Sequence, residues 1–589
     1  MNVGLVQEPT SFLAAGITDS MTFSYAADAP ITEGLLWYRS TDATANAKTQ
    51  ADFYRPDLAT EVPTVANGAV KTSGCKNPDP TVKMCVTYKL RDGVQWQDGS
   101  KFGAHDVCDT VQFFWLKYKD KNPTAILSTS GWDQILKCTE DTNLQVTMDF
   151  KSQFGPYLSL LTGVYGVLPA KQLEAAFATN GDLEKTPQTV DLTVGSGNPD
   201  AYKGTDTLDK IVVGTGPYVL QKYEPTKDII LVPNKNYWDK AHQPHLAKVV
   251  FQIEADVQTQ LNQVKAGELD FGLDYRLKFL KDLQALSQNG KVAVETIPES
   301  GAEKIDLNAC GQYKKCDPDS RTPAALADPA FRHAMIEAIN RDSIVKNIAA
   351  GATVVPQDSW LYLGAEYIKS SQTPTTKFDV AKANSDLDAA GYPRSSKCPN
   401  NGRADKTGAC INLQYATTSG NPAREQAQIA IQQDLNQAGI ATTIANVKAG
   451  KLFGSFKDGG VLYTHAFDLA MYTNTESSPA EPDSFWPGYE SSQIPTKANS
   501  GQGQNDTGLS DPVVDKAMDD GRASVDLATR AKAYATAEQA LAKDLVEIPL
   551  YQQVTVNSYT SKLKGLQRND LVWTFNMYDW YCVGGNCQA

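Results

Sequence analysis

The sequence of 589 residues has no long apolar run. A membrane-spanning helix needs about 20 consecutive, mostly apolar residues, and no such stretch occurs. Nor is there an excess of positive charge: 55 Lys and Arg face 68 Asp and Glu, for a net charge of -13, which excludes a basic nucleic-acid groove as the main working surface. Histidine is scarce, with five in the chain, and neither a Cys-x-x-Cys pair nor a His-Glu-x-x-His run is present, so no metal set is read. His242 and His245 read as a surface loop. No Gly-x-Ser-x-Gly elbow or other catalytic arrangement stands out, and the chain is expected not to be an enzyme. The opening "MNVGLVQEPT" has neither the basic nor the apolar part of a secretion signal, which leaves a cytosolic protein or one whose signal has been removed.

What is present begins with cysteine. Ten cysteines fall into neighbours along the chain: Cys75 with Cys85, Cys108 with Cys138, Cys310 with Cys316, Cys398 with Cys410, and Cys582 with Cys587. An even count in short loops reads as local disulfides, which persist in an oxidising compartment, so export is expected. Nearest-neighbour pairing is one connectivity among many. The length exceeds what one hydrophobic core usually serves and predicts two or three lobes. The aromatic residues, 25 Tyr and 9 Trp against 19 Phe, favour rings with a polar handle, suited to stacking on sugars or peptide side chains in a wet pocket.

Between Tyr88 and Val107 the chain reads "YKLRDGVQWQDGSKFGAHDV". Val86, Tyr88 and Leu90 alternate with polar residues as in a half-buried strand. Asp92-Gly93 and Asp98-Gly99 are turns, and from Gly103 on, Val107, Val111, Phe114, Trp115 and Tyr118 share one face of a helix. Earlier, Ile31, Leu35 and Leu36 suggest a short helix entering a strand or loop at Trp37. Residues 179–206 lack periodicity and read as a surface insertion.

From Val219 to Val232 a hairpin turns at Pro225 to Asp228. Gly214-x-Gly216 before it is no phosphate loop, because no helix follows and Pro217 removes a backbone donor; the glycines are expected to let the backbone turn sharply where two lobes meet. After "KAGELDFGL" the grammar becomes α/β. Asp328 caps a helix with Pro329 in its first turn. Asp379 caps another, which Gly391 and Pro393 stop. "EQAQIAIQQDLNQAGIATTIANV" reads as helix, Gly439, strand. A helix from Arg530 leads to a strand at Val546 to Tyr551.

The stretches "EGLLWY", "RPDLATEV", "YKLRDGVQWQDGSKFGAHDV", "VGTGPYVLQKYEP", "NKNYWD", "AGELDFG", "AFRHAMIEAINRDSIV", "FDVAKANSDLDAAGY" and "AEQALAKDLVEIPLY" occur in an order that resembles, over nearly the whole chain, the extracellular solute-binding proteins of ABC importers, family 5, which include oligopeptide- and dipeptide-binding proteins. The resemblance implies an α/β fold of the type II periplasmic-binding-protein kind, with two lobes, hinge crossovers and the extra subdomain of cluster C. Lobe 1 would comprise a core (1–40, 206–295 and 546–589) and the extra subdomain (41–205), with lobe 2 at 296–545. Crossover strands are expected near Val292 to Leu307 and Val546 to Gln552. Closure of the lobes would be driven by contacts a ligand makes with both at once.

In peptide-binding relatives an Asp in a "DY-x-(D/E)-P" setting holds the ligand's α-amino group. Here Glu481-Pro482 matches the end of that pattern, but the Asp position falls near Ser477 or Ser478. The amine partner would then be Glu476 or Asp483, or the ligand has no ammonium at all. Trp37, Tyr38, Trp360, Tyr472, Asn474 and Trp486 lie near positions that line the cleft in relatives, and Asn308, at the end of the first crossover, is a candidate donor to ligand or hinge backbone. The resemblance implies a monomer without cofactor, extracellular, at the cell surface as a lipoprotein, or periplasmic. Its partners would be a small-molecule ligand and the ABC permease, not nucleic acid. Peptide is the expected cargo. An oligosaccharide, a nickel complex or an opine are alternatives, and an extracellular hydrolase on the same fold is a remote one.

Overall fold

The computed structural model describes residues 1–9, 12, 22–40, 47, 49–111, 131–163, 166–171, 212–275, 277–474, 481–569, 572–585 and 587. The chain forms two compact units, one of residues 1–297, 523–527 and 555–589, the other of residues 298–522 and 528–554.

In the first unit, β1 (Asn2–Leu5) leads by way of a helix, Thr22–Asp28, to β2 (Leu36–Tyr38), which pairs with β3 (Tyr54–Pro56). The helix expected at Ile31 to Leu36 is not formed. The helix lies earlier, where Phe23, Tyr25, Ala26 and Ala27 are buried, because Pro30 interrupts the ladder and Leu36 is claimed by the strand. β4 (Val70–Lys71), β5 (Met84–Lys89), β6 (Ile135–Thr142) and β7 (Gln145–Phe150) form a separate antiparallel sheet in the order β4-β5-β7-β6. Val86 and Tyr88 are buried on one of its faces, as the alternation predicts. Gly93 and Gly99 take φ of +78° and +84° in the two turns, a region that costs other residues energy. The helix that follows is Ala104–Asp109; Phe114, Trp115 and Tyr118 lie outside the described residues, as does the insertion at 179–206.

The main strands of this unit are β8 (Tyr218–Glu224), β9 (Asp228–Pro233), β10 (Val249–Ile253) and β11 (Phe271–Tyr275), with β1 between β10 and β11 and parallel to both. β8 and β9 form the predicted hairpin. Gly214 and Gly216 do not mark a boundary between lobes. Both pack inside the first unit against the backbone of Ile31, whose carbonyl oxygen would lie 1.9 Å from a Cβ at position 214.

β12 (Val292–Leu307) occupies the range predicted for the first crossover and passes from the first unit into the second between Ile297 and Pro298. In the second unit it pairs with β15 (Leu469–Asn474), and β13 (Asn412–Thr417) joins β15 to β14 (Ala441–Ile444). β16 (Glu547–Thr560) lies beside β12 and passes back into the first unit after Val554, where it pairs with β11. Helices cover this sheet. Asp328 caps Pro329–Ala338 by accepting from the Ala330 amide, and Asp379 caps Val380–Ala389 from the Lys382 amide. The helix Pro422–Gln437 ends before Gly439, which has φ +81°. The last, Leu527–Asp544, starts one turn before the predicted Arg530.

All ten cysteines pair with their neighbours: Cys75–Cys85, Cys108–Cys138, Cys310–Cys316, Cys398–Cys410 and Cys582–Cys587, with Cα separations of 5.0 to 5.9 Å. Among the described residues no helix is long and apolar enough to cross a membrane.

Candidate functional site

The antiparallel register of β12 and β15 sets Glu303 opposite Thr473, Lys304 opposite Tyr472 and Ala302 opposite Asn474. Side chains alternate between the faces of a sheet, so two polar groups form at this end of the second unit, one on each face.

On one face Arg424 closes a bidentate pair with Glu303, Nε to Oε1 at 2.6 Å and Nη2 to Oε2 at 2.9 Å. Its Nη1 donates to Thr418 Oγ1 at 2.7 Å and its Nη2 to Thr473 Oγ1 at 3.2 Å. Gln553 of β16 donates to Thr473 Oγ1 at 2.5 Å and to Glu303 Oε2 at 3.2 Å. Burial pushes the Arg424 guanidinium down, but the Glu303 charge beside it more than offsets this, and its pKa stands above the ordinary value. Glu303 is buried, whereas Arg424, Thr473, Asn474 and Gln553 are partly exposed. The result is a pre-oriented patch of donors and acceptors with its charges cancelled, at the point where β15 runs into residues 475–480. These residues were not singled out from the sequence. One signal was available: Arg424 lies in the first turn of its helix, where the macrodipole disfavours a cation, so a strong partner was required.

On the other face Lys304 Nζ donates to Asp306, to Glu547 Oε1 at 2.6 Å and to Tyr472 Oη at 3.3 Å. Tyr472 Oη lies 2.5 Å from Asp306 Oδ2 and 2.9 Å from Asp506 Oδ2, two acceptors for its single proton. Trp360 Nε1 and Tyr489 Oη both donate to Glu547 Oε2 at 2.7 Å. Burial, together with the neighbouring carboxylates and against the pull of Lys304, holds Asp306 well above the usual range. Burial likewise raises Asp506, as withdrawal of neighbouring carboxyls from water favours their neutral forms.

The other sequence-derived candidates fall as follows. Trp360 is 1% exposed and packs edge-on against Phe485, with ring centroids 4.6 Å apart, and Tyr472 is buried in the lysine cluster. Trp37 and Tyr38 are buried in β2 of the first unit. Asn308 is fully buried and donates to the carbonyls of Arg321, His465 and Phe467 at 3.0, 3.2 and 2.8 Å. Asp483 pairs with Arg522 at 3.1 Å, and Arg522 covers the half-buried Trp486 ring at 4.3 Å. Glu481 is buried against Arg530. Asn474 ends β15, and Glu476 lies outside the described residues. Within the second unit the structure thus brings Trp360 and Tyr472 together, places Asp483 and Trp486 in a second group, and leaves Asn308 apart from both; Trp37 and Tyr38 belong to the first unit.

Two α/β units linked by the through-running strands β12 and β16 define the type II periplasmic-binding-protein class, built to bind rather than to catalyse. Residues 54–496 match the family model described as bacterial extracellular solute-binding proteins, family 5 Middle, and the chain belongs to that family. It is 21% identical over 515 residues to the oligopeptide-binding protein AppA of Bacillus subtilis, covering 85% of this chain and 81% of that one. It is 24% identical over 370 residues to the peptide transport periplasmic protein SapA of Salmonella typhimurium, covering 61% of this chain and spanning 58% of that protein's length. The fold matches that of the oligopeptide-binding protein from Thermus thermophilus complexed with a pentapeptide, with a TM-score of 0.72 at 19% identity over 100% of this chain and 97% of that one.

Proposed function

We propose that the protein captures peptides outside the cytoplasm and delivers them, as a monomer, to the membrane permease of an ABC importer. The observation that carries this reading is the family match across residues 54–496; the peptide-binding and peptide-transport relatives support the cargo. Five disulfides support an oxidising, extracellular or periplasmic location.

Ligand capture works by differential affinity: the closed form is populated only to the extent that the ligand binds it more tightly than the open form. The Glu303–Arg424–Thr473–Gln553 patch and Asn474 supply fixed hydrogen-bonding groups for a peptide backbone, and Glu476 supplies the carboxylate for its ammonium. The other carboxylates flanking 475–480 support this choice, since Glu303 is held by Arg424, Glu481 by Arg530 and Asp483 by Arg522. The burial of Trp37, Tyr38, Trp360 and Tyr472 takes away much of the aromatic surface that favoured an oligosaccharide.

Native mass spectrometry of the protein as purified tests the cargo. Retained peptide masses are expected. A retained sugar, opine or nickel complex in their place would replace the peptide reading.

A further inference from the structure

Cys310 and Cys316 lie beside a histidine that neither disulfide chemistry nor ligand capture requires. The two sulfurs and a ring nitrogen of His465 all fall within 4.8 Å of one another. His465 is 1% exposed. One of its ring nitrogens donates to the Asn505 carbonyl, and Nε2 has no hydrogen-bond partner. An imidazole nitrogen buried without a partner forfeits its hydration and calls for an explanation.

The surroundings fix the three side chains. The amide of Cys310 donates to Asn308 Oδ1 at 3.0 Å, while Asn308 Nδ2 holds the His465 and Phe467 carbonyls, so a single side chain ties the cysteine turn to the histidine loop. Gly508, at φ +73°, lies over the disulfide, and a Cβ there would stand 2.6 Å from the Cys316 sulfur and 2.8 Å from that of Cys310.

We propose that two-electron reduction of Cys310–Cys316 by a dithiol turns this corner into a Cys2His site for a thiophilic divalent cation such as Zn2+, with a fourth position left for water or an exogenous donor. A thiolate of the dithiol attacks the sulfur of Cys316, the partly exposed residue of the pair, Cys310 being buried. The new S–S bond forms as the old one breaks, and the electron pair leaves on Cys310. The second thiol of the reductant then displaces Cys316 and closes the reductant's own disulfide. The two protons from the dithiol reside on the cysteines until the cation takes both sulfurs as thiolates and releases them. The oxidised protein has no such site, so metal loading reports the redox state.

The test is Zn2+ titration, against a chromophoric chelator, of the full chain reduced with dithiothreitol and freed of it anaerobically. Reduced wild type should bind one more equivalent of Zn2+ than the reduced Cys310→Ser/Cys316→Ser double variant, which retains the other eight cysteines, and oxidised wild type should lack that equivalent. His465→Gln should weaken it by more than about 10-fold, the loss that even a supporting residue of a metal site causes. Equal stoichiometry in wild type and double variant, or an unchanged affinity in His465→Gln, would overturn the proposal. If the double variant fails to fold, Co2+ decides the matter: the thiolate-to-cobalt absorption of reduced wild type must change in His465→Gln, and an identical spectrum refutes the site.

Discussion

Lys304 Nζ lies 2.6 Å from Glu547 Oε1 and ties β12 to β16, the two strands that run from one unit into the other. Both side chains are largely withdrawn from water, and the ammonium lies among the carboxyl groups of Asp306, Asp506 and Glu547. Removing one partner of a buried ion pair leaves an uncompensated charge, at a cost of about 3–5 kcal/mol. Lys304→Met is therefore expected to lower unfolding free energy by that amount, read from the urea midpoint at constant m-value. A loss below about 1 kcal/mol would show that the cluster sheds its charge by protonation alone.

Glu538 gives the pH dependence a sign. Burial raises its carboxyl to about 7, against the donated bond from Ser359. The folded state thus binds the proton more tightly than the unfolded chain does. This contribution to stability is complete below the unfolded pKa near 4.5 and is lost as pH rises through about 7. At roughly 1.4 kcal/mol per pKa unit, wild type should lose about 3 kcal/mol relative to Glu538→Gln between pH 4 and pH 8. Parallel stability curves for the two proteins would contradict the assignment.

Asn308 braces its surroundings: its amide donates to three carbonyls and its oxygen accepts from the Cys310 amide. Asn308→Ala strands buried polar groups at about 1–3 kcal/mol each and should lower the melting temperature while leaving ligand affinity within about 2-fold by calorimetry. The reverse pattern would place Asn308 in the binding surface.

Gly214 and Gly68 separate close approach from backbone freedom. A Cβ at 214 would strike the Ile31 carbonyl at 1.9 Å, while Gly68, at φ +74°, has nothing within 4 Å. Gly214→Ala should cost several times the roughly 1 kcal/mol expected for Gly68→Ala, as measured by chemical denaturation.

Helix caps and strand alternation were legible because they are local. Asp328, Asp379 and Gly439 act through atoms within four residues of themselves, and the alternation through Val86 and Tyr88 needs only a buried face. The β12 range came from the family resemblance, which implies a crossover strand where apolar alternation occurs. What it carries could not be read: Glu303 on one face of the strand and Lys304 and Asp306 on the other look like ordinary polar strand residues, and become two networks only because Arg424 on the first face, and Tyr472, Asp506 and Glu547 on the second, arrive from remote parts of the chain. The aromatic excess misled in a related way, since composition does not tell a ring that lines a pocket from one like Trp360, a buried ring whose nitrogen is satisfied by the Glu547 carboxylate. The Cys310–Cys316–His465 corner was hidden because its histidine lies far along the chain from its cysteines. The helix expected from Ile31 lies instead at Thr22–Asp28, because Pro30 breaks the ladder and outweighs the apolar spacing of Ile31, Leu35 and Leu36.

Calorimetry of ligand-stripped protein against defined peptide pools, comparing wild type with Glu476→Gln and monitoring compaction by small-angle scattering, tests peptide capture most directly. Saturable one-site binding and a smaller radius of gyration are expected in wild type, with affinity weakened at least about 10-fold in the variant. Absence of heat from every pool, with scattering unchanged, would contradict it.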